Sequence, residues 1–110
     1  MKKITIFTII FFTVIFLGCE EDEQHPPVIK SLTATPELLK VGANSVIICD
    51  ANDPDGDELT YTWESSRGII SGSGYYIIWT SPESGGPDAI SCLVNDGNGG
   101  SDVAVVSVFV

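Results

Sequence analysis

The residue types that most often carry catalysis are scarce in this sequence. It has one histidine, His25, which stands directly before two prolines. A general base must be held within hydrogen-bond reach of the group that it deprotonates, and nothing in such a segment could hold it there. The chain also lacks a Gly-x-Ser-x-Gly elbow, a phosphate-binding glycine loop and a Cys/His spacing for zinc. These absences predict a protein that is not an enzyme.

Basic residues are also few, since five lysines and arginines stand against 15 acids for a net charge of −10. Two of the five, Lys2 and Lys3, open the chain. The part after residue 18 therefore carries all 15 acids against Lys30, Lys40 and Arg67, a net charge of −12. Such a field repels nucleic acid and anionic lipid surfaces. The charge excludes nucleic acid as a partner.

The sequence has no apolar run long enough to cross a bilayer. Its longest run, residues 4–17, has 14 residues, whereas a helix needs about 20 to span a hydrocarbon core of about 30 Å. The run follows two lysines and ends at the small residue Gly18, which is the pattern of a secretory signal. We therefore assign residues 1–18 to a signal peptide.

The end of this signal, "FLGC", resembles the lipobox of bacterial lipoproteins. The resemblance implies that the chain is cut before Cys19 and that the Cys19 thiol carries diacylglycerol. Phe16 and Leu17 depart from the commoner Leu followed by Ala or Ser. Each buried CH₂ of an acyl chain contributes about 0.8 kcal/mol to membrane attachment. Two or more chains, palmitate among them, therefore anchor a protein almost permanently. Cys19 is thus predicted to be the lipid attachment site, with the membrane as its partner.

Residues 19–27 form an acidic, proline-containing tether. The acids at 20–23 have no apolar partners and should stay solvated. Pro26 and Pro27 stiffen the backbone at the end of the tether. These acids resemble the signal with which Bacteroidetes lipoproteins reach the outer face of the outer membrane, or they form a soluble spacer repelled by anionic lipid. The prediction is a lipid-anchored protein of the bacterial cell envelope, on the outer membrane and exposed at the cell surface.

The chain has three cysteines, and an odd number in a secreted protein needs an explanation. If Cys19 is acylated, Cys49 and Cys92 remain as a pair in an oxidising compartment, where they are predicted to form a disulfide. The alternative is two reduced, buried thiols that pack as small hydrophobic groups.

From residue 28 onward, short runs rich in Val, Ile, Thr, Tyr and Trp alternate with clusters of Gly, Pro, Asp and Asn. No stretch shows a sustained helical period. The runs predict an all-β fold over residues 28–110, a seven-stranded sandwich of two antiparallel sheets. The predicted strands are 28–35, 44–51, 59–65, 68–70, 75–80, 89–95 and 102–110. Alternation predicts one inward set: Ile47, Cys49, Ala51, Leu59, Tyr61, Trp63, Ile77, Trp79, Ile90, Cys92, Val94, Val106, Val108 and Val110.

Cys49, Trp63 and Cys92 follow the order in which immunoglobulin-like (Ig-like) sandwiches carry two bridged cysteines on the second and sixth strands and a packed Trp on the third. The phrases "DPDGD", "WTSP" and "DGNGG" resemble the polycystic-kidney-disease (PKD) type of domain and related Ig-like and cadherin-like modules of bacterial surface proteins. The resemblance covers nearly the whole mature chain and implies the same sandwich. That family usually has a Tyr four residues before the second cysteine. This chain has Asp88 there, so we expect a looser loop at residues 85–88.

Asp53, Asp55 and Asp57 place three carboxylates at two-residue spacing around a Pro and a Gly. Ca²⁺ takes six to eight oxygen ligands, and such a turn presents several at once. In a sandwich of this type the loop before the last strand lies at the same end, so Asp96 is predicted to join them, with Asn98 and Asp102 close by. The alternative is turn chemistry alone, with Asp and Asn capping backbone amides.

Two aromatic side chains, Tyr76 and Phe109, are predicted to point away from the core and are candidate ligand-binding residues. The sequence as a whole predicts a non-catalytic, lipid-anchored cell-surface domain that acts in adhesion, scaffolding or protein interaction. The alternative function is a carbohydrate-binding accessory lipoprotein that captures polysaccharide. Calcium is the one cofactor that the sequence suggests.

Overall fold

The structure is a computed structural model that describes residues 23–110. The predicted signal peptide and Cys19 lie outside the described residues. Seven β-strands make up the described part, which contains no helix able to span a bilayer. Each strand lies within two residues of its predicted bounds. The strands are β1 (Val28–Thr35), β2 (Asn44–Asn52), β3 (Thr60–Ser65), β4 (Ile69–Ser71), β5 (Tyr76–Thr80), β6 (Pro87–Asn95) and β7 (Ser101–Phe109).

The strands form two antiparallel sheets. The four-stranded sheet has the order β1-β2-β5-β4, and the three-stranded sheet has the order β3-β6-β7. This is the strand order of a seven-stranded Ig-like sandwich, in which the second and sixth strands lie inside their sheets. The predicted fold class is confirmed.

Alternation along the strands places the core between the sheets. Ile47 on β2 pairs with Ile77 on β5, and both side chains are fully buried. Because successive side chains on a strand point to opposite faces, their neighbours Val46 and Ile48 point to solvent. Burying a side chain of this size contributes about 1.5–3 kcal/mol, so this face holds the two sheets together. The buried apolar set on β2, β5, β6 and β7 is Ile47, Cys49, Ile77, Trp79, Ile90, Cys92, Val94 and Val108.

Trp79 is the largest fully buried side chain, and a glycine makes room for it. Its indole N–H donates to the carbonyl oxygen of Arg67 at 2.9 Å, which satisfies the buried donor. A Cβ on Gly68 would lie 2.6 Å from the carbonyl oxygen of Thr80 and 2.7 Å from the indole ring. Gly68 also has a φ of 83°, which side chains with a Cβ rarely tolerate. Position 68 therefore requires glycine for two separate reasons.

Cys49 and Cys92 belong to one buried cluster between β2 and β6, and Trp63 on β3 lies directly opposite Cys92. The placement of all three residues agrees with the predicted Ig-like pattern. The structure holds the cysteines as free thiols, so the disulfide stays a prediction. Burial raises the pKa of the Cys49 thiol and raises that of Cys92 to about 12.

The expectation of a loose loop at residues 85–88 is wrong, because Asp88 forms an ion pair where the tyrosine is missing. Arg67 donates to both oxygens of the buried Asp88 carboxylate, from Nε at 2.8 Å and from Nη2 at 2.9 Å. The Ser66 hydroxyl donates to the same carboxylate at 3.0 Å. Arg67 Nη2 also reaches the carbonyl oxygen of Gly85 at 3.3 Å. These bonds lower the pKa of Asp88, and the two-point geometry is the strong form of this contact.

The buried thiols generate a prediction about when the bridge forms. A thiolate is the attacking species in disulfide exchange. Because burial raises the pKa of both thiols, we expect the bridge to form before the core closes. We expect the mature protein from the envelope to have a mass two hydrogens lower than the dithiol. We expect replacement of either cysteine by Ala to cost about 2–5 kcal/mol of stability. Two free thiols at Cys49 and Cys92 in envelope protein would contradict the pairing.

Candidate functional site

Two acidic loops lie at the same end of the sandwich. Asn95, the last residue of β6, pairs with Thr60 at the start of β3 and with Ser101 at the start of β7. The β2–β3 and β6–β7 loops therefore flank the same strand end, as the sequence predicts. We call this end the acidic tip and define it by residues 53–59 and 96–100.

Asp53, Asp55 and Asp57 converge within the first of these loops. Each offers one carboxylate oxygen, and the three oxygens lie within 4.8 Å of one another. The loop is shaped by a turn in which the Asp55 N–H donates to Asp53 Oδ1 at 2.9 Å and the Gly56 N–H donates to the Asp53 carbonyl oxygen at 3.0 Å. Gly56 supports this turn with a φ of 75°. The acids of this loop thus do shape a turn, as the alternative prediction states. That turn uses Oδ1 of Asp53 and leaves its Oδ2 free of the turn.

Two other oxygens of this cluster are buried without a hydrogen-bond partner in the described part of the chain. Asp53 is only 8% exposed, yet its Oδ2 is buried and unpartnered, and so is Oδ2 of Asp57. A buried polar atom without a partner costs about 1–3 kcal/mol, and more when it is charged. The geometry therefore favours a positively charged ligand. Three hard oxygen donors suit Ca²⁺, with its other ligand positions filled by backbone oxygens or water.

The second loop does not complete the predicted set of four. Asp96 is buried but is not a member of the converging group. Its Oδ1 accepts hydrogen bonds from the N–H groups of Asn98 and Gly100 at 2.8 and 2.9 Å, while its Oδ2 is buried without a partner. Asp102 is committed elsewhere, because its Oδ2 accepts the Ile29 N–H at 2.9 Å. The structure thus brings together three of the four predicted carboxylates.

The tip also holds a residue that sequence reasoning did not place there. The His25 backbone N–H donates to Asp55 Oδ2 at 2.6 Å, and His25 Nδ1 lies 3.2 Å from Asp55 Oδ1. The hydrogen bond with Asp55 raises the pKa of His25, and the bond from the His25 N–H lowers the pKa of Asp55. These residues are 30 positions apart, and no local motif signals the pairing. The end of the predicted tether is therefore in contact with the sandwich.

The family model of the bacterial Ig domain matches residues 24–109. The chain belongs to the bacterial Ig domain family. The solved structure of the PKD1 domain of Vibrio anguillarum Epp is similar, at 22% sequence identity and a TM-score of 0.61. That match covers 80% of this chain and 96% of the other, and it shows a shared fold. No curated protein matches the sequence.

Membership in the bacterial Ig domain family also gives a coarse functional class. Domains of this Ig-like kind are typically non-catalytic, and they suggest a module for protein interaction or adhesion. A fold does not by itself specify a function, so the ligand has to be argued from the surface of this chain.

The bacterial Ig domain exposes the two predicted aromatic residues on opposite faces. Tyr76 is 49% exposed on the outer face of the four-stranded sheet, where it pairs with Ile48. Phe109 is 55% exposed on the three-stranded sheet, where it pairs with Pro87. The two side chains therefore cannot contact one small ligand together. Tyr76 has a different aromatic neighbour, Tyr75, with ring centroids 5.2 Å apart in an edge-to-face arrangement.

Proposed function

We propose that this bacterial Ig domain is a lipid-anchored cell-surface module that binds a protein partner through the outer face of its four-stranded sheet. The observation that carries the proposal is a continuous apolar patch at the centre of that face. Ile48 pairs with Tyr76, and the next outward pair is Val46 with Ile78. Val46 and Ile48 are 37% and 41% exposed. We call these four residues the outer patch.

Polar residues border the outer patch on β1 and at both ends of the patch, while the exposed Ile69 pairs with Thr80 on the β4 side. On β1, Thr33 and Thr35 lie opposite Ile48 and Val46. Beyond Val46, the Thr80 hydroxyl donates to Asn44 Oδ1 at 2.8 Å, and on the other side Asp50 follows Ile48. An apolar and aromatic centre with a polar rim is the usual anatomy of a protein interface. Tyrosine is also among the residues that most often dominate binding energy.

The outer patch predicts a position-dependent photocrosslink. With p-benzoylphenylalanine in place of Tyr76, the full chain on whole cells should give a discrete adduct with one envelope protein. The matched control carries the same group in place of Phe109, which is equally exposed on the opposite face, and should give none. The Tyr76→Ala chain, tested as a competitor of that adduct, should compete several-fold less well than the unaltered chain. The same adduct from both positions, or full competition by Tyr76→Ala, would contradict a partner site at the outer patch.

A carbohydrate is the second candidate ligand, and the pair of tyrosines favours it. Tyr75 and Tyr76 border a groove of about 420 Å³ that residues 71–74 and Ile78 also line, with the hydroxyl-bearing Ser71 and Ser73. Aromatic rings beside hydroxyl groups can stack on a sugar ring and hydrogen-bond its edge. Glycan-array binding that is lost in Tyr76→Ala would favour this function over the protein partner.

Lipid anchoring through Cys19 is part of the same proposal. The contacts of His25 and Pro27 with the sandwich shorten the predicted tether of residues 19–27. His25 is held by Asp55, and Pro27 is buried. From Cys19 to His25 the chain can reach at most about 20–22 Å at 3.3–3.6 Å per residue, which is less than the reach from Cys19 to Pro27. The domain would then stand close to the membrane, with its acidic tip toward the anchor.

Replacement of Cys19, whose sulfur is the predicted lipid attachment atom, tests the lipid anchor. Cys19→Ser should abolish labelling by a palmitate analogue and leave the precursor uncut, because serine supplies no thiol for diacylglycerol. The measurement is gel mobility together with fluorescence of the labelled lipid, with Cys49→Ser as the matched control that keeps its label. Labelling that persists in Cys19→Ser would contradict the assignment.

We further propose that the carboxylates of Asp53, Asp55 and Asp57 bind Ca²⁺. Support comes from their convergence and from the buried, unpartnered oxygens of Asp53 and Asp57. A cation at this point would give both oxygens a ligand and would relieve repulsion between the three carboxylates. Asp96, which the sequence predicts as a fourth ligand, lies outside this converging group.

The Ca²⁺ site predicts a cation-dependent melting temperature for the full chain in non-ionic detergent. A site with a Kd near 10⁻⁴ M should gain about 1.4 kcal/mol at 1 mM Ca²⁺, or about 5–10 °C for a domain of this size. Mg²⁺ should do much less because it demands tighter geometry and sheds water reluctantly. Asp53→Asn should abolish the gain while it keeps the Oδ1 acceptor of the turn.

The matched control for this experiment is Glu58→Gln. It removes the same charge from an exposed residue next to Asp57, and it should keep the full Ca²⁺ response. Equal melting temperatures of the unaltered chain in Ca²⁺ and in chelator would mean that these acids only shape a turn.

A further inference from the structure

The segment directly before β1 is docked on the acidic tip. We call residues 24–27 the strap. Pro27 is buried, and Pro26 packs so closely on the second loop that a Cβ on Gly100 would lie 3.0 Å from Pro26 Cα. The same Cβ would lie 2.5 Å from Asp96 Oδ2, so a larger residue at position 100 would force Asp96 or the strap to shift.

His25 is the residue that fastens the strap to the first loop. It contacts both oxygens of the Asp55 carboxylate, through its backbone N–H at 2.6 Å and through Nδ1 at 3.2 Å. The pair is surface-exposed, and exposed ion pairs of this kind are weak. The fastening is therefore one that a competing ligand can break.

Asp55 also belongs to the converging carboxylates with Asp53 and Asp57. The proposed Ca²⁺ site needs an oxygen from Asp55, and in this structure His25 contacts both of them. A divalent cation on Oδ1 would replace the imidazole contact at that atom. The buried, unpartnered oxygens of Asp53 and Asp57 point independently to a cation at this place.

We propose that Ca²⁺ and the His25 imidazole compete for Asp55, so that Ca²⁺ binding weakens the hold of the strap on the first loop of the acidic tip. This inference rests on the Ca²⁺ site proposed above. Coupling between two binding events is reciprocal, so the contact that Ca²⁺ weakens must in turn weaken Ca²⁺ binding by the same factor. Because the strap leads to the predicted anchor, Ca²⁺ would change how freely the domain turns on its lipid attachment.

The sole histidine gives a direct probe of this competition. In the NMR spectrum of the full chain in detergent, at fixed pH, the Cε1–H signal of His25 should move on addition of CaCl₂. It should move toward its position in Asp55→Asn, where the partner carboxylate is lost. The amide signal of Gly56 reports cation binding separately, because its N–H donates to the Asp53 carbonyl oxygen inside the loop.

Affinities measured by calorimetry with CaCl₂ complete the test. His25→Ala should bind Ca²⁺ about two- to fivefold more tightly than the unaltered chain, the range that the energy of an exposed ion pair gives. Gln24→Ala, the matched control in the strap, should leave the affinity unchanged.

The two readouts separate the possible failures. If Gly56 responds while His25 stays still, or if His25→Ala binds Ca²⁺ equally or more weakly, the competition is overturned and the Ca²⁺ site stands. If neither signal responds and no variant binds Ca²⁺, the site itself is overturned, and the coupling is overturned with it.

Discussion

Burial of Asp53 at the end of β2 is the constraint on which the chemistry of this domain depends. One of its carboxylate oxygens builds the turn by accepting the Asp55 N–H, and that turn brings Asp55 and Asp57 back toward it. The other oxygen is left buried with no partner among the described residues. A carboxylate cannot be withdrawn from water in this way at low cost unless a positive charge compensates it. The turn that satisfies the Asp55 N–H therefore leaves Asp53 Oδ2 buried, and a cation bound there would compensate its charge.

In the proposed function, the two ends and the two faces of the sandwich have different tasks. The acidic tip carries the carboxylates and receives the strap that leads to the predicted anchor. The outer patch lies on the outer face of the four-stranded sheet, where Val46, Ile48 and Tyr76 are exposed. At the end where β6 begins, the ion pair of Arg67 and Asp88 fixes the loop with two charge-assisted hydrogen bonds. These assignments make the fold a scaffold that separates attachment from recognition.

Most of the fold could be predicted from the sequence because its determinants are local. A period of two residues identifies both the strand and its buried face, and the Gly, Pro, Asp and Asn clusters mark where each strand ends. The grouping of Asp53, Asp55 and Asp57 is also local, since a single turn brings them together. For these features, neighbouring residues in the sequence are neighbours in space.

The remaining features depend on contacts between distant segments, and the sequence does not record those contacts. The Arg67–Asp88 pair spans 21 residues and the His25–Asp55 pair spans 30. Each pair joins two distant segments whose approach is set by the packing of the sheets. Tyr76 and Phe109 were both predicted correctly to point outward, but only the strand order shows that they lie on opposite faces. Asp96 lies at the same end as the first loop but outside its converging carboxylates, and the sequence does not reveal that separation.

A crystal structure of the mature chain grown with CaCl₂, with data collected at a long X-ray wavelength, tests the central claim most directly. The account predicts one anomalous peak at 2.3–2.6 Å from an oxygen of Asp53, Asp55 and Asp57, the bond length of Ca²⁺ to oxygen ligands. A map without that peak, in which Asp53 Oδ2 accepts hydrogen bonds from water or from another protein group, would contradict it.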